Sequence, residues 1–334
     1  MYMPVFSSPA PWRPQYFSYA FVAGASLLGL GCPALAPVVL GPVLLVGLVL
    51  LGLAHGACDQ LVLPTLAPTR RQPARQMMLF IVSYVSLAML AGLGWWYRPA
   101  AAVTAFFLLT VWHWGSADAV AQPGQRAEWL LHSFLRGALF FAVPAWWWPA
   151  EAQHSLNGLL GFIGSQGVPA AQFTSYARAL ELLVASGHLA LWGYYIWRRE
   201  AGRASIDAGE VALLVVLFVT LPPLLAVGTY FVFWHSLQHA LRLNRLFGYT
   251  PANTHFPAWR QLGREVFFFL RHAWPLLAVS LVGLSIVYLL LPARQWASQE
   301  AWLSLALIAA AVLTLPHALL VSVVMDAANW RQAT

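Results

Sequence analysis

The chain alternates long apolar runs with short polar breaks, and most of the runs share one length. About 20 apolar residues cross a bilayer as a helix. That measure predicts ten helices, at 17–32, 34–54, 76–96, 100–117, 129–149, 176–197, 208–227, 229–247, 271–291 and 301–325. The first run is short and the eighth is interrupted by polar residues, so the pattern allows 8 to 10 spans. Segment 155–169 is Gly-rich and less apolar, and reads as a re-entrant or interfacial piece. The longest polar stretch, 248–265, reads as a loop. No internal repeat, low-complexity tract or soluble domain interrupts the series. The expected fold class is all-α, a polytopic transmembrane helix bundle forming a single integral membrane domain over 1–334.

Composition agrees with the pattern. The 334 residues are 60% hydrophobic and 9% charged, with mean hydropathy +0.67, whereas a soluble domain carries about 25% charge. The net charge of +7 comes without a basic run, so no nucleic-acid partner is expected. There is no Lys; all 18 basic residues are Arg. With ten spans and a cytoplasmic N-terminus, Arg13, Arg70, Arg71, Arg75, Arg126, Arg198, Arg199, Arg203, Arg242, Arg245, Arg260, Arg264, Arg271 and Arg331 fall on the cytoplasmic side. Arg98, Arg136, Arg178 and Arg294 remain outside. The positive-inside rule then predicts a multi-pass protein of the cell (inner) membrane with both termini cytoplasmic. Cys32 and Cys58 both lie in or near apolar runs, so a disulfide framework is not expected. The polar, Pro-rich start lacks a cleavage site, so the first span is expected to stay.

Against this apolar background stand four histidine motifs. They are His55-Gly-Ala-Cys-Asp59, Trp112-His113-Trp-Gly-Ser-Ala-Asp118, His235-Ser-Leu-Gln-His239 and Pro316-His317. Ionisable groups at membrane depth are costly and mark function by default, and histidine is the commonest protein ligand for metals. In the arginine-based topology the second, fourth, eighth and tenth spans run in one direction. Five histidines from four helices then share the cytoplasmic half of the bundle. A metal site between these helices is the economical reading.

The motifs differ in strength. His235 and His239, spaced i, i+4, lie on one helix face, but Ser236 removes the Glu that a zinc protease needs. Alone, the pair fits interhelical hydrogen bonding equally well; His55 and His113 at matching depth favour metal. Gly56 and Gly115 would admit a close neighbour. Asp59 and Asp118 would stand behind the ligands, accepting from a ring N–H or balancing charge, with ligand or interfacial roles as the alternatives. His317 follows Pro316, and ligation is as plausible for it as a supporting or substrate-facing role. His132, near Arg136, and His188 and His272 are read as structural, and His154 and His255 as loop residues. Cys58 is read as a small buried residue. Four imidazoles with open positions suit Fe(II), whereas zinc would be saturated. Trp112, Trp114 and Trp234 flank the motifs and would wall a dry tunnel for an apolar substrate, or merely pack between helices.

Taken in order, the four motifs resemble the Brp/Blh family of bacterial and archaeal β-carotene 15,15′-dioxygenases over nearly the whole chain. The resemblance implies a non-haem Fe(II) enzyme that uses O2 to cleave the central double bond of β-carotene into two all-trans-retinal. It implies His55, His113, His235 and His239 as iron ligands, with His317 less secure, and a functional link to a retinal-binding opsin. The sequence departs from the family pattern at Cys58-Asp59-Gln60, at the two Trp beside His113 and at Gln238, which leaves the preferred carotenoid open. Rival readings are a desaturase or hydroxylase, which needs more His and carboxylates for two irons, and a transporter with His proton relays, which would show repeated halves.

Overall fold

The computed structural model describes residues 15–62, 74–119, 125–162, 164–250, 258–290, 299–324, 326 and 330. His255, Arg13, Arg70, Arg71, Arg294, Arg331 and both chain termini lie outside these residues. The described residues form helices and no strands. In chain order they are α1 (Gln15–Gly31), α2 (Ala36–Gly56), α3 (Ala74–Tyr97), α4 (Pro99–Asp118), α5 (Arg126–Trp147), α6 (Pro149–Phe162), α7 (Ala170–Trp197), α8 (Ala201–Thr220), α9 (223–246), α10 (Ala258–Leu290) and α11 (Gln299–Val324). Pro99, Pro149 and Pro223 open their helices, a position where a missing N–H costs nothing and φ is already helical.

The ten apolar runs are mainly helical over their described residues, but run 208–227 is broken at Leu221–Pro222, and its end belongs to α9. Among the described residues, five stretches, in α2, α3, α4, α10 and α11, are long and apolar enough to cross a membrane, against the 8 to 10 spans expected for the whole chain. The outward faces carry many large apolar side chains, among them Leu27, Leu30, Met78, Leu90, Leu189 and Val279. An apolar surface of this extent belongs against lipid or another protein.

The Gly-rich segment 155–169 begins inside α6, whose 14 residues span about 21 Å, well short of a hydrocarbon core, a length that a re-entrant or interfacial piece can have. Two local expectations need correction. His154 sits on that helix, exposed, and not in a loop. Part of the polar stretch 248–265 belongs to α10, which starts at Ala258. Its buried seam runs Gln261, Glu265, Phe269, Ala273 and Leu277 at every fourth position, so two turns of it are polar. Glu265 is fully buried, receives the Arg245 guanidinium at 3.1 Å, and its carbonyl accepts from Asn244 Nδ2 at 2.8 Å. A hydropathy scale reads such a seam as loop, although α9 pairs it.

The tightest helix crossing joins α4 to α5. A Cβ added to Gly115 would lie 1.8 Å from the Ser133 carbonyl oxygen, and one on Gly137 would lie 1.8 Å from that of Val111. Both backbones touch there, so only glycine fits. Gly56, by contrast, has nothing among the described residues within 4 Å of its Cβ position. The main core is shared by α1, α2, α5, α8, α9 and α10, with Phe218, Leu221, Tyr230 and Phe269 fully buried.

Candidate metal centre

Two helices change pitch at the histidine motifs. α2 carries a π-helical turn over Leu48–Leu53, directly before His55, and α9 carries another over Phe231–Ser236, which includes His235. Single π-turns inside α-helices concentrate at functional sites. The two turns face each other: a Cβ on Gly52 would meet the Phe231 ring at 2.8 Å, and one on Gly47 would meet Val232 at 2.4 Å. Phe231 in turn stacks on His235 at 5.9 Å and meets His55 edge-on at 5.9 Å. The glycines thus let the α9 turn approach α2, and Phe231 spaces the two imidazoles.

The structure gathers His55, His113, His235, His239 and His317 into one buried cluster, each 5% exposed or less. Neighbouring ring centroids lie 4.9–6.3 Å apart. His317, the member left open by the sequence, is central: it is 4.9 Å from His55, 5.0 Å from His113 and 5.4 Å from His239. α11 continues helically through Pro316 and delivers it.

Hydrogen bonds fix some rings and leave others open. His55 Nδ1–H donates to the Leu51 carbonyl at 3.0 Å, inside the π-turn. His317 Nδ1–H donates to the Asp59 carboxylate at 2.8 Å, and Asp59 also accepts from Tyr84 OH at 2.9 Å. The opposite nitrogen of His317, both nitrogens of His235, and Nδ1 of His113 and His239 are buried with no hydrogen-bond partner among the described residues. A buried polar atom left without a hydrogen bond costs about 1–3 kcal/mol, and such atoms call for an explanation. Several on one cluster of imidazoles have the chemistry of a metal-binding donor set.

Whether an ion fits can be tested on the ring spacing. With metal–nitrogen bonds of about 2.1 Å, an imidazole centroid stands about 3.2 Å from the ion, so two ligands have centroids about 4.5–6.4 Å apart. The observed spacings fall inside that range. Among the described residues, no three His, Cys, Asp or Glu side chains are arranged so that they could hold a metal ion as they stand. The fit of an ion rests on the ring spacing and on the orphaned nitrogens.

The other expected site residues fall in different places. Asp118 accepts from Tyr230 OH at 2.8 Å rather than from an imidazole. Tyr230 lies 6.3 Å from His235 and stacks on Phe140 at 3.9 Å. Of the three tryptophans, Trp114 faces the cluster, 5.7 Å from His235. Trp112 donates to Ser322 Oγ at 3.0 Å and packs on Trp129 and Trp330. Trp234 is buried against Tyr19 at 5.1 Å. Cys58 is fully buried, and both cysteines are free thiols. His188 and His272 each donate Nδ1–H to a carbonyl one turn earlier, Val184 and Phe268.

Sequence reasoning missed a second polar centre. His132 Nε2 lies 2.8 Å from Asp207, Arg136 Nη1 lies 3.3 Å from the same carboxylate, and Trp192 Nε1 donates to it at 2.7 Å. Arg136 also pairs with Glu210, which accepts from Tyr19 OH. Arg136 is fully buried inside α5. The signal was present: Asp207 and Glu210, three residues apart, stand at the start of an apolar run, and ionisable groups there need partners.

Comparison with known proteins now bears on this geometry. The family described as Beta-carotene 15,15′-dioxygenase matches residues 46–325, which include all five clustered histidines. A probable beta-carotene 15,15′-dioxygenase Blh of Halobacterium salinarum is 28% identical over 312 residues, 87% of each chain. A probable beta-carotene 15,15′-dioxygenase Brp of the same organism is 26% identical over 256 residues, covering 72% of this chain and 69% of its own. A beta-carotene 15,15′-dioxygenase of an uncultured marine bacterium, 66A03, is 26% identical over 191 residues, covering 57% and 65%. No solved structure matches. On the extent of the family match and the Blh and Brp relatives, the chain belongs to the Brp/Blh family of β-carotene 15,15′-dioxygenases.

Proposed function

We propose that this protein is an iron-dependent membrane enzyme that uses O2 to cleave the central 15,15′ double bond of β-carotene, giving two all-trans-retinal. The observation that carries the reading is the buried cluster of five imidazoles with unpartnered ring nitrogens. The relatives' names support the reaction. The length and apolar composition of α2, α3, α4, α10 and α11 support a bilayer setting, and the arginine distribution supports cytoplasmic termini with the site in the cytoplasmic half of the cell membrane.

His55, His113, His235 and His239 would hold the iron, and His317, oriented by Asp59, stands as a fifth donor. Fe(II), when bound, supplies the activation of O2 that a side chain cannot. The remaining chemistry belongs to the protein. Asp59 fixes the His317 tautomer so that its outward nitrogen carries the lone pair. Phe231 and Trp114 exclude water from one side of the cluster, and Tyr230, held by Asp118, backs the same wall. Cleavage of a hydrocarbon double bond needs no titratable acid or base, so positioning and a dry site are what these residues contribute. β-Carotene reaches the site from lipid, and retinal leaves to lipid or to a retinal-binding opsin.

The test is expression in a β-carotene-producing bacterium. Loss of orange colour with appearance of retinal is expected, together with one iron per purified chain; two irons would favour a desaturase-type centre. His235→Ala should abolish both iron and retinal, and full activity in that variant would sink the assignment.

A further inference from the structure

The five imidazoles of the cluster are held unequally. His55 and His317 each donate Nδ1–H to a fixed acceptor, the Leu51 carbonyl and the Asp59 carboxylate. His113 lacks that support: its Nδ1 is buried with no hydrogen-bond partner among the described residues. Its place therefore depends on its backbone, and it stands five residues before the end of α4, where helices fray. Two side chains of α9 hold that end. Tyr230 OH donates to the Asp118 carboxylate at 2.8 Å, and Arg242 Nη1 donates to the Ala117 carbonyl at 2.8 Å. Ala117 is among the last four residues of α4, whose carbonyls receive no donor from the helix itself. A guanidinium there also complements the negative end of the helix dipole.

The spacing links this bond to the cluster. Arg242 follows His239 at i+3 and His235 at i+7, so it shares a face of α9 with both. Ala117 follows His113 at i+4, one turn further along α4. The path from His113 to Ala117, across to Arg242 and back to His239 is thus closed by one hydrogen bond within a turn of each histidine. On the cluster side the same two helices meet as His113 and His235, with ring centroids 5.0 Å apart.

We infer that Arg242 is a positioning residue for the metal centre: by tying the last turn of α4 to the histidine-bearing face of α9, it sets His113 against His235 and His239. The inference rests on the metal-dependent reading above. Charge and position predict opposite signs. A guanidinium so close to the cluster repels a metal cation, so if charge were its whole effect, removing it would tighten metal binding. Loss of the tie loosens metal binding instead.

The experiment titrates Co(II) into metal-free, detergent-solubilised wild type, Arg242→Met, Arg242→Lys and Arg245→Met, followed by visible d–d absorption. Arg242→Gln takes the place of Arg242→Met if that variant does not fold. Arg245, one turn further on, ties α9 to Glu265 of α10 at 3.1 Å, so Arg245→Met controls for a general loosening of α9. Arg242→Met should weaken Co(II) binding about tenfold or more and change the absorption of the saturated protein, because His113 is displaced from the other donors. Arg242→Lys keeps a charged donor for the carbonyl and should bind Co(II) more tightly than Arg242→Met. Arg245→Met should melt earlier than wild type yet keep its Co(II) affinity and absorption. Affinity in Arg242→Met equal to or above wild type, binding by Arg242→Lys no tighter than by Arg242→Met, or an equal loss in Arg245→Met overturns the inference. A wild type that takes up no Co(II) would sink the metal-centre reading and this inference with it, whereas wild-type binding left unchanged by the Arg242 substitutions sinks the role of Arg242 alone.

Discussion

Asp59 holds two donors at once, His317 Nδ1–H at 2.8 Å and Tyr84 OH at 2.9 Å, while almost fully buried. A carboxylate on the far side of a ligating imidazole fixes the ring and raises its basicity. Asp59→Asn keeps the volume and removes the charge. It should weaken iron binding about 10–100-fold, measured by competition with a chelator, with folding retained. Iron affinity equal to wild type would place Asp59 in a purely structural role. Tyr84→Phe removes only a hydrogen bond to a charged group, worth about 1.5–3 kcal/mol, and should affect thermal stability before iron. The motif containing Asp59 was legible in sequence as a carboxylate four residues from a histidine. Its partner was not, because His317 lies 258 residues away and only the bundle brings the two together. The same holds for Asp118, whose bond to Tyr230 spans 112 residues.

At the scale of elements, hydropathy located the helices but could not rank their glycines. Gly115 and Gly56 occupy matching places in two histidine motifs, yet only Gly115 lies in a backbone-to-backbone seam. Gly115→Ala should therefore destabilise the protein by about 3 kcal/mol or more, since the Ser133 carbonyl it meets belongs to a helix that cannot yield locally. Gly56→Ala should be neutral or stabilising by up to about 1 kcal/mol, because open space removes the steric cost and alanine is the better helix former. Thermal melts of detergent-solubilised variants separate the two, and equal melting temperatures would contradict the seam. Gly52→Ala belongs to a third kind. Its Cβ would press on Phe231, which spaces His55 from His235. Iron content should fall more than stability, and a variant that melts early but binds iron normally would refute this. The π-turns behind that geometry were invisible to a pattern read at 3.6 residues per turn. The polar seam of α10 was hidden for the opposite reason, since Gln261 and Glu265 are buried but not apolar.

Across the whole molecule the chemistry divides between two sets of helices. α2, α4, α9 and α11 supply the histidines, whereas α1, α5, α7 and α8 supply Tyr19, His132, Arg136, Trp192, Asp207 and Glu210. The sets meet where α5 crosses α4 at Gly115 and Gly137 and where Tyr230 stacks on Phe140. The ion network thus fixes the helix against which the histidine-bearing half packs, without touching an imidazole of the cluster. A buried charge that loses its partner costs about 3–5 kcal/mol, whereas replacing both partners with apolar groups of similar volume is often neutral. Asp207→Leu leaves His132 and Trp192 without their shared acceptor and Arg136 with Glu210 alone, and should lower stability by about 1–3 kcal/mol. The triple variant Asp207→Leu, Arg136→Met, Glu210→Leu removes the charges together and should recover much of the loss. Because neither change reaches the histidines, the folded fraction of each variant should bind iron and form retinal at wild-type levels per mole of folded protein. Size-exclusion chromatography, thermal melts and iron analysis on the same preparations distinguish the outcomes. If Asp207→Leu stays as stable as wild type but loses iron, the second centre serves the reaction directly and is more than the frame that holds the two halves together.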